Sequence, residues 1–205
     1  MKALVFSDIH ASNTSIKKLK ERAKKEDADL LISCGDLVTF GSGINEVIKK
    51  FDMGKLMLAI PGNHETPEQI KRAEKKFNFV KDINLKNLVF KEKLFFGCGG
   101  ALFTPFHTIN EVSDKELKNS LKKFEISNVK EKFNKFIFIM HQPPYKTKLS
   151  MLEHDIGSVS LRDFVIKNKP DYAFCGHLHE HMSEEDRIGK TRIINPGHDG
   201  FLLEI

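Results

Sequence analysis

Apolar runs that stop abruptly at Asp, Asn or His are the feature that most restricts what this chain can become. Ala3-Leu4-Val5-Phe6 leads into Asp8-Ile9-His10. Leu30 to Cys34 ends at Gly35-Asp36, and Lys55 to Ile60 ends at Pro61-Gly62-Asn63-His64-Glu65. Phe136 to Met140 ends at His141, and Tyr172 to Cys175 ends at Gly176-His177-Leu178-His179. A buried strand that runs out into a loop delivers its next side chains to one edge of a sheet. Five such endings would gather oxygen and nitrogen donors at a single edge, which calls for strands brought side by side.

The segments between these runs are helical in pattern. Ser12 to Lys25 places Ile16, Leu19 and Ala23 on one face. Gly43 to Asp52 is a second helix. Thr66-Pro67-Glu68-Gln69 opens a third that runs to about Phe77, with Thr66 as cap, Pro67 in the first position and Gln69 closing a capping box. Strand and helix alternate through the first half, which predicts an α/β fold with parallel pairing. The middle predicts a pair of short strands, Leu88-Val89-Phe90 and Leu94-Phe95-Phe96, then a long helix over Asp114 to Phe133 and another over Ser158 to Lys167. Arg192 to Ile194, the turn Asn195-Pro196-Gly197 and Phe201 to Ile205 close the pattern as strand and turn. No repeat or linker divides the chain, so residues 1–205 read as one domain.

Composition supports a globular chain. Its 205 residues can bury a sizeable core, and no apolar run reaches the ~20 residues of a membrane span. The first apolar stretch is too short for a secretory leader, so the expected compartment is the cytoplasm, without membrane attachment. Cys34, Cys98 and Cys175 are odd in number, far apart, and each at the end of an apolar run; they read as buried free thiols. The net charge of +5 comes mainly from lysine pairs on helix-like segments. These pairs have acidic neighbours and no interleaved aromatics, so solvated helix faces are favoured over a nucleic-acid surface.

The donor set has a definite chemistry. Asp8 and His10, like His177 and His179, are two residues apart, so in extended chain both members of a pair would face one site. Oxygen and nitrogen donors without thiolate suit Mn, Fe, Zn or Ni and disfavour a structural cysteine-type zinc site. Two divalent ions would bring four positive charges. Asp8, Asp36 and a bridging hydroxide would return three, leaving a positive site for an anionic phosphate ester.

Asp8-Ile9-His10, Gly35-Asp36, Gly62-Asn63-His64-Glu65, His141 and Gly176-His177-Leu178-His179, in this order, resemble the calcineurin-like metallophosphoesterases. The late Asn195-Pro196-Gly197 turn matches as well. His141-Gln142-Pro143-Pro144 and Gly157-Ser158-x-x-Leu161 resemble the small class III phosphodiesterase-like branch. The resemblance implies a four-layer α/β/β/α sandwich of two mixed β-sheets flanked by helices, with a dinuclear metal site at one sheet edge. It implies Asp8, His10, Asp36 and His179 on one metal, and Asp36, Asn63, His141 and His177 on the other, with Asp36 bridging. It implies that His64 is no ligand and instead protonates the leaving oxygen or stabilises charge there while bridging hydroxide attacks in line. The implied activity is metal-dependent phosphoric ester hydrolysis, a phosphodiester being favoured over a monoester, on a small substrate such as a nucleotide.

One position departs from the pattern. Several branches carry an aspartate three residues after the bridging one, where this chain has Thr39. Either another carboxylate, such as Glu65, supports His64, or His64 is a weaker acid suited to good leaving groups. Among the other histidines, His154 lies in a loop placed to fold over the site and touch substrate, whereas His107, His181 and His198 read as incidental. Two alternatives stand beside the hydrolase: a nuclease of the same fold, disfavoured because only 26 residues follow His179, and a metal-free protein-binding scaffold.

Overall fold

The structure is a computed structural model describing residues 1–205. Two mixed sheets stack face to face. In the first sheet, β1 (Lys2–Phe6), β2 (Leu30–Ser33), β3 (Leu56–Ala59) and β4 (Val80–Asp82) run parallel in that order, and β11 (Phe201–Glu204) pairs antiparallel to β1. The second sheet follows the order β5-β6-β7-β8-β10-β9. These strands are β5 (Asn87–Phe90), β6 (Lys93–Cys98), β7 (Lys135–Met140), β8 (Tyr172–Phe174), β10 (Thr191–Ile194) and β9 (Glu185–Ile188). Its central strands β6, β7, β8 and β10 are parallel, and both edge strands are antiparallel.

Strand periodicity explains the layering. In β1, Ala3 and Val5 point between the sheets, where they join Ile32, Leu58, Phe95, Ile139 and Phe174. Leu4 and Phe6 point the other way, into a core shared with α1 (Asn13–Lys25), α2 (Ile44–Lys50) and α3 (Pro67–Lys76). The second sheet buries Phe96, Phe138 and Met140 against α4 (Asp114–Leu121) and α5 (Val159–Asn168). Four layers result, helix, sheet, sheet, helix, and the inner strands are apolar on both faces because both are covered. No helix is long and apolar enough to cross a membrane.

The predicted capping box of α3 forms. Gln69 N–H donates to Thr66 Oγ1 at 3.3 Å, and Thr66 N–H donates to Gln69 Oε1 at 2.9 Å. The predicted helix over Asp114 to Phe133 is shorter. It stops at Leu121, and a single tight turn follows at Ile126–Asn128. The chain turns there to insert Phe124, whose ring lies 4.4 Å from Phe96 and 5.4 Å from Phe136 between centroids. β4 and β9 escaped the periodicity reading. β9 (Glu-Asp-Arg-Ile) is an edge strand with polar side chains on its open face, which hides the apolar alternation. All three cysteines are buried and free.

Candidate metal centre

Each candidate ligand follows the C-terminal end of a strand: Asp8 after β1, Asp36 after β2, Asn63 after β3, His141 after β7 and His177 after β8. The parallel pairing of these strands brings all five loops to one edge, so three ligand loops come from the first sheet and two from the second.

The approach is close because the loops are glycine-rich. A Cβ on Gly62 would lie 2.0 Å from Asp36 Oδ1, and one on Gly176 would lie 2.4 Å from Asp8 Oδ2. Neither position admits a side chain. The chain is not extended at Asp8/His10 or His177/His179, although Asp8 and His10 still meet in one donor group with His179. Asp8, His10, Asp36 and His177 all have positive φ, between 43° and 71°. Non-glycine residues rarely adopt this strained conformation, and it persists where surrounding structure imposes it. The turns send His177 and His179 to different neighbours.

His177 Nδ1 lies 2.9 Å from Asn63 Oδ1, and His141 Nε2 lies 2.8 Å from the same oxygen. His141 Nε2 is also 3.5 Å from Asp36 Oδ2. In the neighbouring set, His10 Nε2 is 3.3 Å from His179 Nε2 and 3.8 Å from Asp36 Oδ2, and His179 Nε2 is 3.6 Å from Asp8 Oδ1. Two donor groups therefore meet at Asp36 Oδ2. The other carboxylate oxygen, Oδ1, is held by the His64 backbone N–H at 2.9 Å.

The proton positions of these residues leave donor atoms turned inward. His141 Nδ1 is 2.9 Å from the Cys34 carbonyl, which can only accept, so Nδ1 carries the proton. A neutral ring then turns a bare Nε2 lone pair toward two oxygens, Asn63 Oδ1 and Asp36 Oδ2, and either a second proton or a metal cation between them resolves the conflict. Asn63 is oriented from behind. Glu111 Oε1 can only accept, so the Thr108 hydroxyl donates to it at 2.8 Å. Thr108 Oγ1 in turn accepts from Asn63 Nδ2 at 3.2 Å, which leaves Oδ1 facing the histidines. The donor set and its outer contacts fit divalent metal ions.

The charges respond to this crowding. Burial opposes ionisation of Asp36, yet His141 and the His64 amide outweigh it and hold the carboxyl well below the usual range. Burial likewise opposes a charged His141, but the adjacent Asp36 raises it to about 9. Burial and the neighbouring His141 push His177 down to about 4.

Thr39 and Glu65 do not do what the sequence suggested. Thr39 Oγ1 sits 3.3 Å from Nδ1 of His10, where it can accept that proton and turn the Nε2 lone pair inward. Glu65 is fully buried and accepts from the backbone N–H groups of Asp36, Val38 and Gly62 at 2.8–3.0 Å. It ties two ligand loops together and makes no hydrogen bond to the His64 ring. Support for His64 comes from the backbone: Phe40 N–H donates to His64 Nδ1 at 3.2 Å. That bond places the ring proton on Nε2, and a His64 ring nitrogen lies within 4.8 Å of the donor atoms of His10 and Asp36.

A cavity of about 520 Å³ opens over the cluster. His64 and His154 both line it. His181 instead bridges Glu184 and the Met151 carbonyl, and His198 contacts Met182. Two structural contacts were missed. Gln142 accepts from Leu102 N–H at 3.0 Å and donates to the Ile156 carbonyl at 2.8 Å, pinning both cavity walls to the end of β7. The Thr108–Glu111 pair was the other, although its Thr-x-x-Glu spacing is a recognisable local hydrogen-bonding signature.

Residues 1–181 match the family model described as calcineurin-like phosphoesterase. The chain is 31% identical over 213 residues to the uncharacterized protein MJ1162 of Methanocaldococcus jannaschii, covering 99% of this chain and 91% of that one. In fold it is similar to TT1561 of Thermus thermophilus, with a TM-score of 0.76 at 15% identity over 96% of this chain and 88% of the other. It is also similar to an archaeal phosphodiesterase, with a TM-score of 0.54 at 19% identity over 96% and 84% of the two chains. With its two sheets, its convergent Asp, Asn and His donors and the matched residues, the chain belongs to the calcineurin-like phosphoesterase family, whose members are generally metal-dependent hydrolases.

Proposed function

We propose that this chain is a dinuclear-metal phosphoesterase, acting as one domain, with a phosphodiester as its preferred substrate. The observation that carries this reading is the meeting of two donor groups at Asp36 Oδ2. One group is Asp8, His10, Asp36 and His179, and the other is Asp36, Asn63, His141 and His177. Two divalent ions bound there supply Lewis-acid charge for the phosphoryl oxygens and a water made nucleophilic at neutral pH. Mn, Fe, Zn and Ni all suit the mixed donors.

The chain's own contribution is positional and protonic. Asp36 is held by the His64 amide, so its second oxygen keeps a fixed place between the groups. The Phe40 amide keeps the His64 proton on Nε2, from which it can hydrogen-bond a leaving oxygen and stabilise the charge developing there. His64 thus has no carboxylate partner, and with Nδ1 accepting from the Phe40 amide the ring offers a leaving oxygen a single N–H hydrogen bond. Such a site favours esters with good leaving groups. Similarity in fold to an archaeal phosphodiesterase is compatible with the diester preference.

A metal-supplemented screen of phosphomonoesters, phosphodiesters and nucleotides tests the proposal, run beside Asn63→Ala and His141→Ala. Turnover should require added divalent metal, be highest on diesters, and fall at least ~100-fold in both variants. Fewer than one metal per chain, with no activity on any ester after metal addition, would point to the protein-binding scaffold instead.

A further inference from the structure

The cavity over the donor cluster has an unusual wall. Phe103 and Phe106 are the two most exposed large apolar side chains of the chain, at 73% and 76%, and both line this cavity. Leaving such rings in water forgoes the gain of burying them, and exposed apolar surface beside a site is the ordinary mark of a ligand contact. The loop that carries them is anchored. Thr104 Oγ1 donates to Glu111 at 2.6 Å, Thr108 N–H donates to the same carboxylate at 2.7 Å, and Asn110 Nδ2 donates to the Gly62 carbonyl at 2.7 Å. Leu152 and Ile156 face the cavity from the other loop, and Gln142 joins the two walls.

Charge supplies the second observation. The chain has 33 lysines and arginines, and none of the 17 residues lining this cavity is one of them. Apart from the proposed ligands, its ionisable side chains are His64, His154 and Glu180. The mouth therefore holds no fixed cation for a second phosphate or a dianionic ester. We infer that the site takes a monoanionic phosphodiester carrying an uncharged apolar substituent, lodged between Phe103/Phe106 and Leu152/Ile156. This rests on the phosphoesterase reading and narrows its substrate class. A polyphosphate would leave charge unmatched here, whereas an aromatic or aliphatic ester group covers the rings.

The test is calorimetric binding to metal-loaded protein, using diesters that hydrolyse slowly. Diphenyl phosphate and dibutyl phosphate are compared with dimethyl phosphate, all three monoanions. At least one of the larger two should bind ~10-fold or more tightly than dimethyl phosphate, from the apolar area it covers. The larger advantage identifies a flat or an aliphatic occupant. In Phe103→Ala/Phe106→Ala the advantage should shrink to about 2-fold or less, and thermal melting should be unchanged because both rings are exposed. Phe106→Lys should shift preference toward the phenyl phosphate dianion. Equal binding of all three diesters, or an advantage that survives the double substitution, overturns the inference. Parallel turnover of bis(p-nitrophenyl) phosphate separates the two failures. No turnover with any metal rejects the phosphoesterase reading, whereas turnover without a phenylalanine-dependent preference rejects only this inference.

Discussion

At the scale of single residues, orientation matters more than identity. A histidine binds metal through whichever nitrogen its other nitrogen leaves free, and an asparagine through whichever end its amide presents. Here the Cys34 carbonyl settles His141, and the Glu111–Thr108 pair settles Asn63. Thr108→Val should therefore lower metal affinity ~10–100-fold while keeping every proposed ligand, measured by calorimetric metal titration. An unchanged affinity would show that the amide is held by the metal alone. His64 is held by an amide rather than a carboxylate, so in its proposed role it assists the leaving oxygen without an ionic partner. His64→Ala should cost ~10²–10³ in kcat on alkyl leaving groups and about tenfold less on p-nitrophenolate, which needs little protonation. Equal losses on both would exclude a proton-donor role.

At the scale of elements, the loop over residues 102–112 is a latch built on one carboxylate. Slight burial opposes ionisation of Glu111, but donors from Thr104 and Thr108 outweigh it and hold the group at about 2, against its usual 4.5. A carboxyl depressed on folding contributes its stabilisation in full above its unfolded value. That contribution declines as pH falls below about 4.5 and is gone below about 2. Backbone amides of the loop should exchange with solvent faster at pH 3 than at pH 6, after correction for intrinsic rates, and Glu111→Gln should remove most of that difference. A loop whose corrected exchange is the same at both values would contradict the latch. Gln142 performs the same task for two loops at once, so its role could not be read from either loop separately.

At the scale of the whole molecule, the donors come from both sheets: Asp8, Asp36 and Asn63 from the first, His141, His177 and His179 from the second. Ions bound between them would clamp the two sheets at one edge. Saturation at a thousand times Kd should add about 4 kcal/mol, worth roughly 10 °C in Tm for a chain of this length. Chelated and metal-loaded samples melting at the same temperature would show that no such clamp forms. Charge is unevenly distributed as well. A second concavity of about 690 Å³ carries Lys135, Lys169, Arg187, Lys190 and Arg192 at the opposite ends of β7 and β8 from the donors. A polyanion attracted there would be held away from the proposed catalytic mouth, which argues against the nuclease reading.

Much of this was legible in one dimension. Apolar runs ending at Asp, Asn and His declared both the strands and the donor set, because parallel strands must be apolar on both faces and must end somewhere. The cap of α3 was legible because capping is local. The strands β4 and β9, the early end of α4 and the supports of His10 and His64 were not. β9 is a local hairpin hidden by its polar open face, whereas the others depend on partners distant in sequence, as Phe124 does on Phe96 and Phe40 on His64. By itself, the sequence determined which atoms are offered to a metal, since donor chemistry belongs to the side chain. Only the tertiary structure decided which nitrogen each histidine presents, that Thr39 serves His10, and that the mouth is apolar and free of lysine. Those properties arise from hydrogen bonds and surfaces that exist only once the two sheets have come together.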